Sequence, residues 1–214
     1  EASAEGAPSE PTDGAAGTCT YTADGSEPAK KVDPPQAEPA ETGKVDVEVD
    51  TNVGAIKATL DAGTTPCTVN SFLSLAKQDY FDKTKCHRIT TEGIFVLQCG
   101  DPTATGTGGP GYAFADELVP SDPRLQPCLG QTDPTTGAEV CTYTSGTLAM
   151  ANSGPDTNGS QFFLVYQDSP LPAAYTAFGR MSAAGVKVVQ GVAAKGIAAD
   201  GIAPKQPVTI TSVK

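Results

Sequence analysis

Val45, Val47 and Val49 alternate with Asp46, Glu48 and Asp50. That period of two marks a half-buried strand. Thr51 to Val53 form a turn, and Ile56, Ala58 and Leu60 resume the alternation. The pair reads as the opening hairpin of an antiparallel sheet. The period then changes. Val69, Phe72, Leu73 and Ala76 fall on one helical face, behind Thr65 as N-cap and Pro66 in the first turn. Cys86–Thr90 and Phe95–Cys99 read as two short strands around a turn at 91–94. Thr147–Ala151 and Ser160–Tyr166 flank a long Gly/Asn turn, and Asp168–Tyr175 reads as a loop before a strand at Thr176–Phe178. Val186, Val189 and Val192 mark a second helix, and Val208, Ile210 and Val213 the last strand. Two helices and about eight short strands predict a mainly β fold, a closed eight-stranded antiparallel β-barrel capped by two α-helices.

Residues 1–43 break this pattern. They are rich in Ala, Pro, Gly, Glu and Thr and carry almost no large apolar side chain. Such a segment cannot bury enough surface to offset its ordering entropy and is expected to be a spacer, stiffened by Pro28, Pro34, Pro35 and Pro39. Cys19-Thr20-Tyr21 is the exception, because a thiol there calls for a partner on the body. The expected division is therefore a spacer over 1–43, partly tethered through Cys19, and one domain over 44–214. Residues 120–145 read as a loop inserted in that domain.

Of the net charge of −11, −6 falls in residues 1–44. This sign argues against nucleic acid and against an anionic membrane surface as partners. No run is long and apolar enough to span a bilayer, and no charged-then-apolar leader opens the chain. The start at Glu1 without Met suggests an excised ectodomain with any anchor or signal upstream. Six cysteines point to disulfides and an extracytoplasmic, oxidising compartment. With one histidine and no Cys-x-x-Cys, metal binding and thiol redox chemistry are disfavoured, and neither metal nor cofactor is expected. Cys128 and Cys141 bracket twelve residues and are the first pair to expect. Closing such a loop contributes roughly 3 kcal/mol. Spacing leaves the other connectivities open; Cys67–Cys86 with Cys19–Cys99 is the pairing adopted.

The candidate chemistry lies around Met150-Ala151-Asn152-Ser153-Gly154-Pro155-Asp156-Thr157-Asn158-Gly159-Ser160-Gln161-Phe162-Phe163. Taken alone, a Gly/Asn loop of this kind usually only connects two strands. The wording is more particular, and three further blocks stand in a fixed order with it. These are His87-Arg88-Ile89 with Phe95-Val96-Leu97-Gln98-Cys99-Gly100-Asp101, Gly106-Thr107-Gly108-Gly109 with Asp116-Glu117, and Phe178-Gly179-Arg180. Together they resemble the cyclophilins, the peptidyl-prolyl cis-trans isomerases, over roughly Lys44 to Lys214. The glycine loop lacks the strand-to-helix setting of a phosphate site, so nucleotide binding is rejected.

The resemblance implies an isomerase that accelerates X–Pro rotation in extracytoplasmic polypeptides as a folding helper, with proline-containing peptides or proteins as substrates. A monomer is expected, with no membrane contact by this chain itself. Arg88 is implied as the donor to the twisted bond, with Gln98 and Phe95 beside it as catalytic residues. Phe95, Val96, Phe163 and Leu171 are implied as walls of the proline pocket, with Gln98 and Gln161 holding the substrate backbone. Asn152 is implied to offer main-chain hydrogen bonds, flanked by Ala151 and Ser153, while Phe162 faces the core. Two extra residues in the 91–94 turn bear on where Phe95 points. Pro170 and Tyr175 stand where the family has Trp and His. The ring at Tyr175 still walls the pocket, whereas the Trp that favours cyclosporin is absent. His87 is expected to be buried and hydrogen-bonded, which removes hydrolase mechanisms that need a histidine. The rival reading is a proline-peptide-binding or chaperone module without catalysis.

Overall fold

The computed structural model describes residues 17–214; residues 1–16, part of the expected spacer, lie outside it. Along the chain run β1 (Thr22–Ala23), β2 (Lys44–Thr51), β3 (Gly54–Asp61), α1 (Pro66–Lys77), β4 (Thr84–Lys85) and β5 (Arg88–Ile89). Then come β6 (Val96–Cys99), β7 (Tyr112–Ala113), β8 (Leu125–Thr132), β9 (Glu139–Tyr143) and β10 (Thr147–Met150). The chain closes with β11 (Phe162–Val165), β12 (Ser169–Pro172), β13 (Ala177–Met181), α2 (Ala183–Ala193) and β14 (Thr209–Val213).

The fold is mainly β with two helices. Nine strands form one antiparallel sheet in the order β4-β14-β2-β3-β13-β10-β11-β6-β5, where eight in a closed barrel were expected. Its two end strands are consecutive pieces of one segment, separated by Cys86 and His87. The Cys86 N–H donates to Val208 O, beside β14, and the His87 N–H donates to Gln98 O in β6. The curl puts one face of the sheet inside. Leu60, Leu97, Leu148, Phe162 and Phe178 fill it and meet Phe72 and Leu75 of α1. Phe72 lies 5.4 Å from Phe162, edge to face.

Alternation holds well in the opening hairpin: Val47, Val49, Ile56, Ala58 and Leu60 are buried. The start of α1 differs from expectation. Thr65 makes no side-chain cap; its hydroxyl donates to Asp61 O instead. The free N–H groups of Cys67 and Thr68 donate to the Glu117 carboxylate at 3.0 and 2.8 Å. An anion delivered from a distant loop thus satisfies the helix start and meets its dipole.

Residues 120–145 are more than an inserted loop. They carry β8 and β9, which join β12 in a three-stranded sheet, order β12-β9-β8. Most of β8 is exposed, so no hydrophobic period marks it as a strand. β12, within the expected loop 168–175, holds two prolines and sits at the edge of this sheet, where a missing N–H does little harm.

All six cysteines are paired, which fits an oxidising environment. Cys128 joins Cys141. The other pairing differs from the one adopted from sequence: Cys19 joins Cys67, and Cys86 joins Cys99. The reason is register. Arg88 pairs with Gln98 across β5 and β6, so Cys99 falls opposite His87, one residue from Cys86, and the two cysteine Cα atoms come within 4.0 Å. Cys67, in the first turn of α1, faces the N-terminal segment.

A spacer partly tethered through Cys19 was expected over 1–43; its described part, 17–43, is a strap against the body. β1 pairs with β7. The Tyr21 ring packs edge-on against Tyr112 and Phe114, both at 5.6 Å, and its hydroxyl donates to Cys67 O. Gln78 of the α1 C-cap exchanges two hydrogen bonds with the Asp33 backbone. Among the described residues no helix is long and apolar enough to cross a membrane.

Candidate active site

β6 and β11 pair with Val96 opposite Val165 and Gln98 opposite Phe163. Their alternation sends Leu97, Cys99, Phe162 and Leu164 into the barrel-like core. It sends Val96, Phe163 and Val165 to the outer face, where Tyr143, Leu171 and Tyr175 build a second apolar cluster. β5 places Arg88 beside Gln98 on that outer face. An aromatic wall and a guanidinium therefore meet because two short strands keep register.

A cavity of about 240 Å³ opens at this point. Phe163, Leu171, Tyr175 and Val96 form its apolar wall, with Ile94 beside them. Arg88, Gln98, Ala151 and Asn152 form the polar side. Its size is below that of drug-sized sites, roughly 300–1,000 Å³, and suits one small ring. A larger concavity, about 1020 Å³, lies elsewhere, along β2, β3 and β13. Two ion pairs close across it, Arg124 with Asp122 at 2.6 Å and Lys44 with Asp61 at 2.5 Å, while Arg180 donates to Ser145 O and Thr144 Oγ1. The smaller cavity sets an apolar, aromatic wall against Arg88, which has no acidic partner among the described residues and is held by Gln98.

The polar side is a relay. Arg88 Nη1 donates to Gln98 Oε1 at 3.3 Å, and Gln98 Nε2 donates to Gln161 Oε1 at 2.9 Å. Gln161 Nε2 donates to Gly106 O and Gly108 O, both at 3.0 Å. Gln161, expected to hold substrate, thus has its whole amide engaged by the protein, and it fixes Gln98. The Asn152 side chain is likewise engaged, donating to Ala174 O and accepting from the Gly154 N–H. Its backbone N–H and C=O have no partner among the described residues, and the residue lines the cavity.

The glycine loop that ends the relay is wrapped on Asp101. This carboxylate has no exposed surface. It accepts from the N–H groups of Thr103, Thr105, Gly106 and Gly108 and from the Thr103 hydroxyl. Burial works against the charge, but these donors outweigh it and hold the acid below the ordinary carboxylate range. Glycine is required at 108, where a Cβ would stand 2.1 Å from Asp101 Oδ1. It is required equally at Gly100, where φ is +92° and a Cβ would meet Ser160 O at 2.2 Å.

Two expected residues sit elsewhere. Phe95 is absent from the cavity wall: it packs against the inner core, edge-on to Tyr166 at 6.0 Å. With Val96 pointing outward, its neighbour must point inward, and Ile94 from the lengthened turn takes a place on the wall. Ser153 lines an adjoining cavity and not this one. His87 is buried, but neither ring nitrogen has a hydrogen-bond partner among the described residues. Sequence reasoning missed Tyr143. Its ring backs Phe163 and Tyr175, and its hydroxyl donates to Tyr175 O at 2.9 Å. An aromatic two residues past Cys141 was the only signal for it.

The arrangement can hold an apolar ring against Phe163 and aim a guanidinium at the bond beside it. It offers no metal ligand set there. The one cluster of potential ligands among the described residues, Cys128, Glu139 and Cys141, has both thiols joined in a disulfide.

Fold and groove together define a mainly β protein with an apolar cavity set beside a guanidinium. The family model described as "Cyclophilin type peptidyl-prolyl cis-trans isomerase/CLD" matches residues 44–214. The chain belongs to that cyclophilin-type family. It is 47% identical over 207 residues to the probable peptidyl-prolyl cis-trans isomerase B of Mycobacterium leprae, covering 92% of this chain and 66% of that protein. It is 44% identical over 216 residues to the probable isomerase B of Mycobacterium tuberculosis, covering 96% and 66%. The chain thus spans just under two thirds of these relatives. A crystal structure of a cyclophilin type isomerase from Cryptosporidium parvum superposes with a TM-score of 0.63 at 28% identity, over 79% of this chain and 96% of that one. A second crystal structure of the same protein, in the presence of the dipeptide Ala-Pro, matches equally, with a TM-score of 0.63.

Proposed function

We propose that the chain is a peptidyl-prolyl cis-trans isomerase acting on X–Pro bonds of extracytoplasmic polypeptides, as a folding helper. Rotation about such a bond is slow because resonance stiffens it, with a barrier of roughly 18–20 kcal/mol. A catalyst must favour the twisted state over both planar ones. In the twisted state the prolyl nitrogen regains a lone pair, and a fixed donor aimed there stabilises it selectively.

One observation carries the reading: Arg88 is held by the Gln98–Gln161 relay at the mouth of an apolar cavity. Phe163, Leu171, Val96 and Tyr175 would hold the proline ring. Arg88 would supply the donor, and the backbone of Asn152 and the spare N–H of Gln98 would hold the peptide. The Ala-Pro dipeptide present with the Cryptosporidium relative is consistent with such a ligand. Arg keeps its charge at any working pH, so the donor does not titrate away.

Three finer statements belong to the same reading. The nine strands close into an eight-stranded barrel, counting β4 and β5 as one; the hydrogen bonds of Cys86 and His87 to opposite sheet ends support this. The chain is a monomeric domain over 44–214 with a strap fastened to it. It works in a secreted or envelope-anchored setting, which the three disulfides support.

The test is NMR exchange between cis and trans forms of an Ala-Pro peptide. Native protein at catalytic amounts should accelerate exchange, and Arg88→Ala should lose about 10- to 150-fold, one charge-assisted hydrogen bond of roughly 1.5–3 kcal/mol. Binding without acceleration would leave a proline-peptide-binding module.

A further inference from the structure

The strap also reaches the groove. Ala23 pairs with Tyr112, the Asp24 N–H donates to Gly111 O at 3.2 Å, and the Ala29 N–H to Gly109 O at 2.9 Å. These bonds lay Asp24 along the glycine loop that ends the relay. Pro28 packs so closely on Gly111 that a Cβ there would stand 3.3 Å from it. The strap is fastened upstream as well, through Cys19–Cys67 and Tyr21.

A second cavity of about 290 Å³ opens beside the proline cavity. The two share Gln98, Ala151 and Asn152, so a peptide seated in one leads into the other. Apart from those three, this second cavity is walled by glycines, small hydroxyl side chains, Gln161, Pro110 and Tyr112. Asp24 is the only charged residue on its lining among the described residues. Oδ1 of Asp24 accepts from Ser26 N–H at 2.8 Å and Ser26 Oγ at 2.6 Å. This local turn fixes the carboxylate, while Oδ2 has no partner among the described residues. The groove is therefore polarised, with Arg88 at one end and Asp24 at the other. A concave wall of low polarisability focuses such a charge on whatever enters.

We propose that Asp24 is a specificity-determining residue that selects X–Pro segments carrying a Lys or Arg side chain a few residues from the proline. The proposal rests on reading the adjoining cavity as the proline site. The strap thereby becomes part of the binding site, with its own segment of chain supplying the charge that the barrel lacks.

The test uses the full chain and a set of Ala-Pro peptides with Lys, Glu or Ala placed singly at each of three positions on either side of the proline. Dissociation constants from NMR titration and exchange rates are both recorded. At one position the Lys peptide should bind about two- to fivefold tighter than the Glu peptide, the size an exposed charge pair supports. Asp24→Asn keeps the acceptor for Ser26 and should bring that ratio to one, and Asp24→Lys should invert it. The remote control Glu41→Gln removes the same net charge and should leave the ratio unchanged, and about 0.5 M salt should shrink it in the native protein. A ratio unmoved by Asp24→Asn, or moved equally by Glu41→Gln, overturns the proposal; so does failure of every peptide to bind. If peptides bind with the predicted ratio while exchange stays at the solvent rate, the isomerase reading fails and the role of Asp24 stands.

Discussion

Gln98 Nε2 lies 2.9 Å from Gln161 Oε1, and this contact decides which way the Gln98 amide faces. With its N–H turned to Gln161, its carbonyl oxygen is left to accept from Arg88. A flipped amide would set two oxygens against each other and present N–H groups to a guanidinium. The orientation of the candidate donor is thus set two residues away, by an amide that itself is locked to Gly106 and Gly108.

Removing that lock should cost activity more than stability. In Gln161→Leu the glycine carbonyls and Gln98 lose their partner, while the side chain stays partly solvated. We expect kcat/KM for an Ala-Pro peptide to fall about tenfold, the equivalent of one well-placed neutral hydrogen bond at roughly 1.4 kcal/mol. Thermal unfolding should move by only about 2–4 °C. Parallel exchange and unfolding measurements check this; unchanged exchange would show that the relay does not position Arg88.

Asp101 makes the loop sensitive to acid. Its carboxyl is held below the ordinary range, so its contribution to stability is present above the unfolded value, about 3.9, and is lost as pH falls through the lower folded value. Native protein should therefore lose thermal stability more steeply below pH 4. Asp101→Asn turns a donor toward the N–H groups of Thr105, Gly106 and Gly108 and should cost about 2–3 kcal/mol at neutral pH. Its unfolding temperature should also be flatter between pH 4 and 2. Equal slopes in the two proteins would assign the acid response to other carboxylates.

Glu117 should matter more to α1 than its place in a surface loop implies. Its carboxylate accepts from two N–H groups and the Thr68 hydroxyl at the helix start. Glu117→Ala is expected to cost about 1–2 kcal/mol, the range for loss of an N-cap. Urea unfolding at neutral pH measures it, and a change within 0.5 kcal/mol, the range of ordinary surface substitutions, would show that water replaces the cap.

The contrast between Glu117 and Thr65 illustrates what the sequence makes legible. Helix α1 and the alternation of β2 and β3 could be read because each has one face in the core and one outside. The strands of the groove could be read for the same reason, and Arg88, Gln98, Phe163 and Tyr175 fell together as a result. A cap supplied from fifty residues away leaves no local mark, so Thr65 looked sufficient. β8 left none either, because both of its faces are wet and the period of two has nothing to sort. The tether at Cys19 could be read, but the extent of the strap was hidden by its composition: its hold on α1 comes from Cys19, Tyr21 and hydrogen bonds, not from a buried apolar stripe. Phe95 failed by one position: the alternation that turns Val96 and Gln98 outward turns it inward, whatever the length of the turn before it.

His87 offers a last test, because burial leaves it with two unpartnered ring nitrogens. Burial lowers its proton affinity; Asp101 and the nearby Gln161 amide work the other way, and Arg88 adds to the lowering. A histidine depressed in the folded state binds fewer protons there than in the unfolded chain. Stability must therefore fall as pH drops through the unfolded value near 6.5, and the loss levels off below the folded value. This window opens near pH 6.5, well above the point where that of Asp101 opens. His87→Phe removes both unpartnered nitrogens and keeps an aromatic ring against Gly106. Replacing unsatisfied buried polar groups by apolar ones is neutral or stabilising, so the variant should unfold at the same temperature as native protein, or higher, at pH 7.5. Its unfolding temperature should also change less between pH 7 and 5. Thermal scans at four pH values across that range suffice. A variant several degrees less stable at pH 7.5, with the same pH slope as native protein, would mean that the imidazole is held by ordered water and that its burial is no burden to the fold.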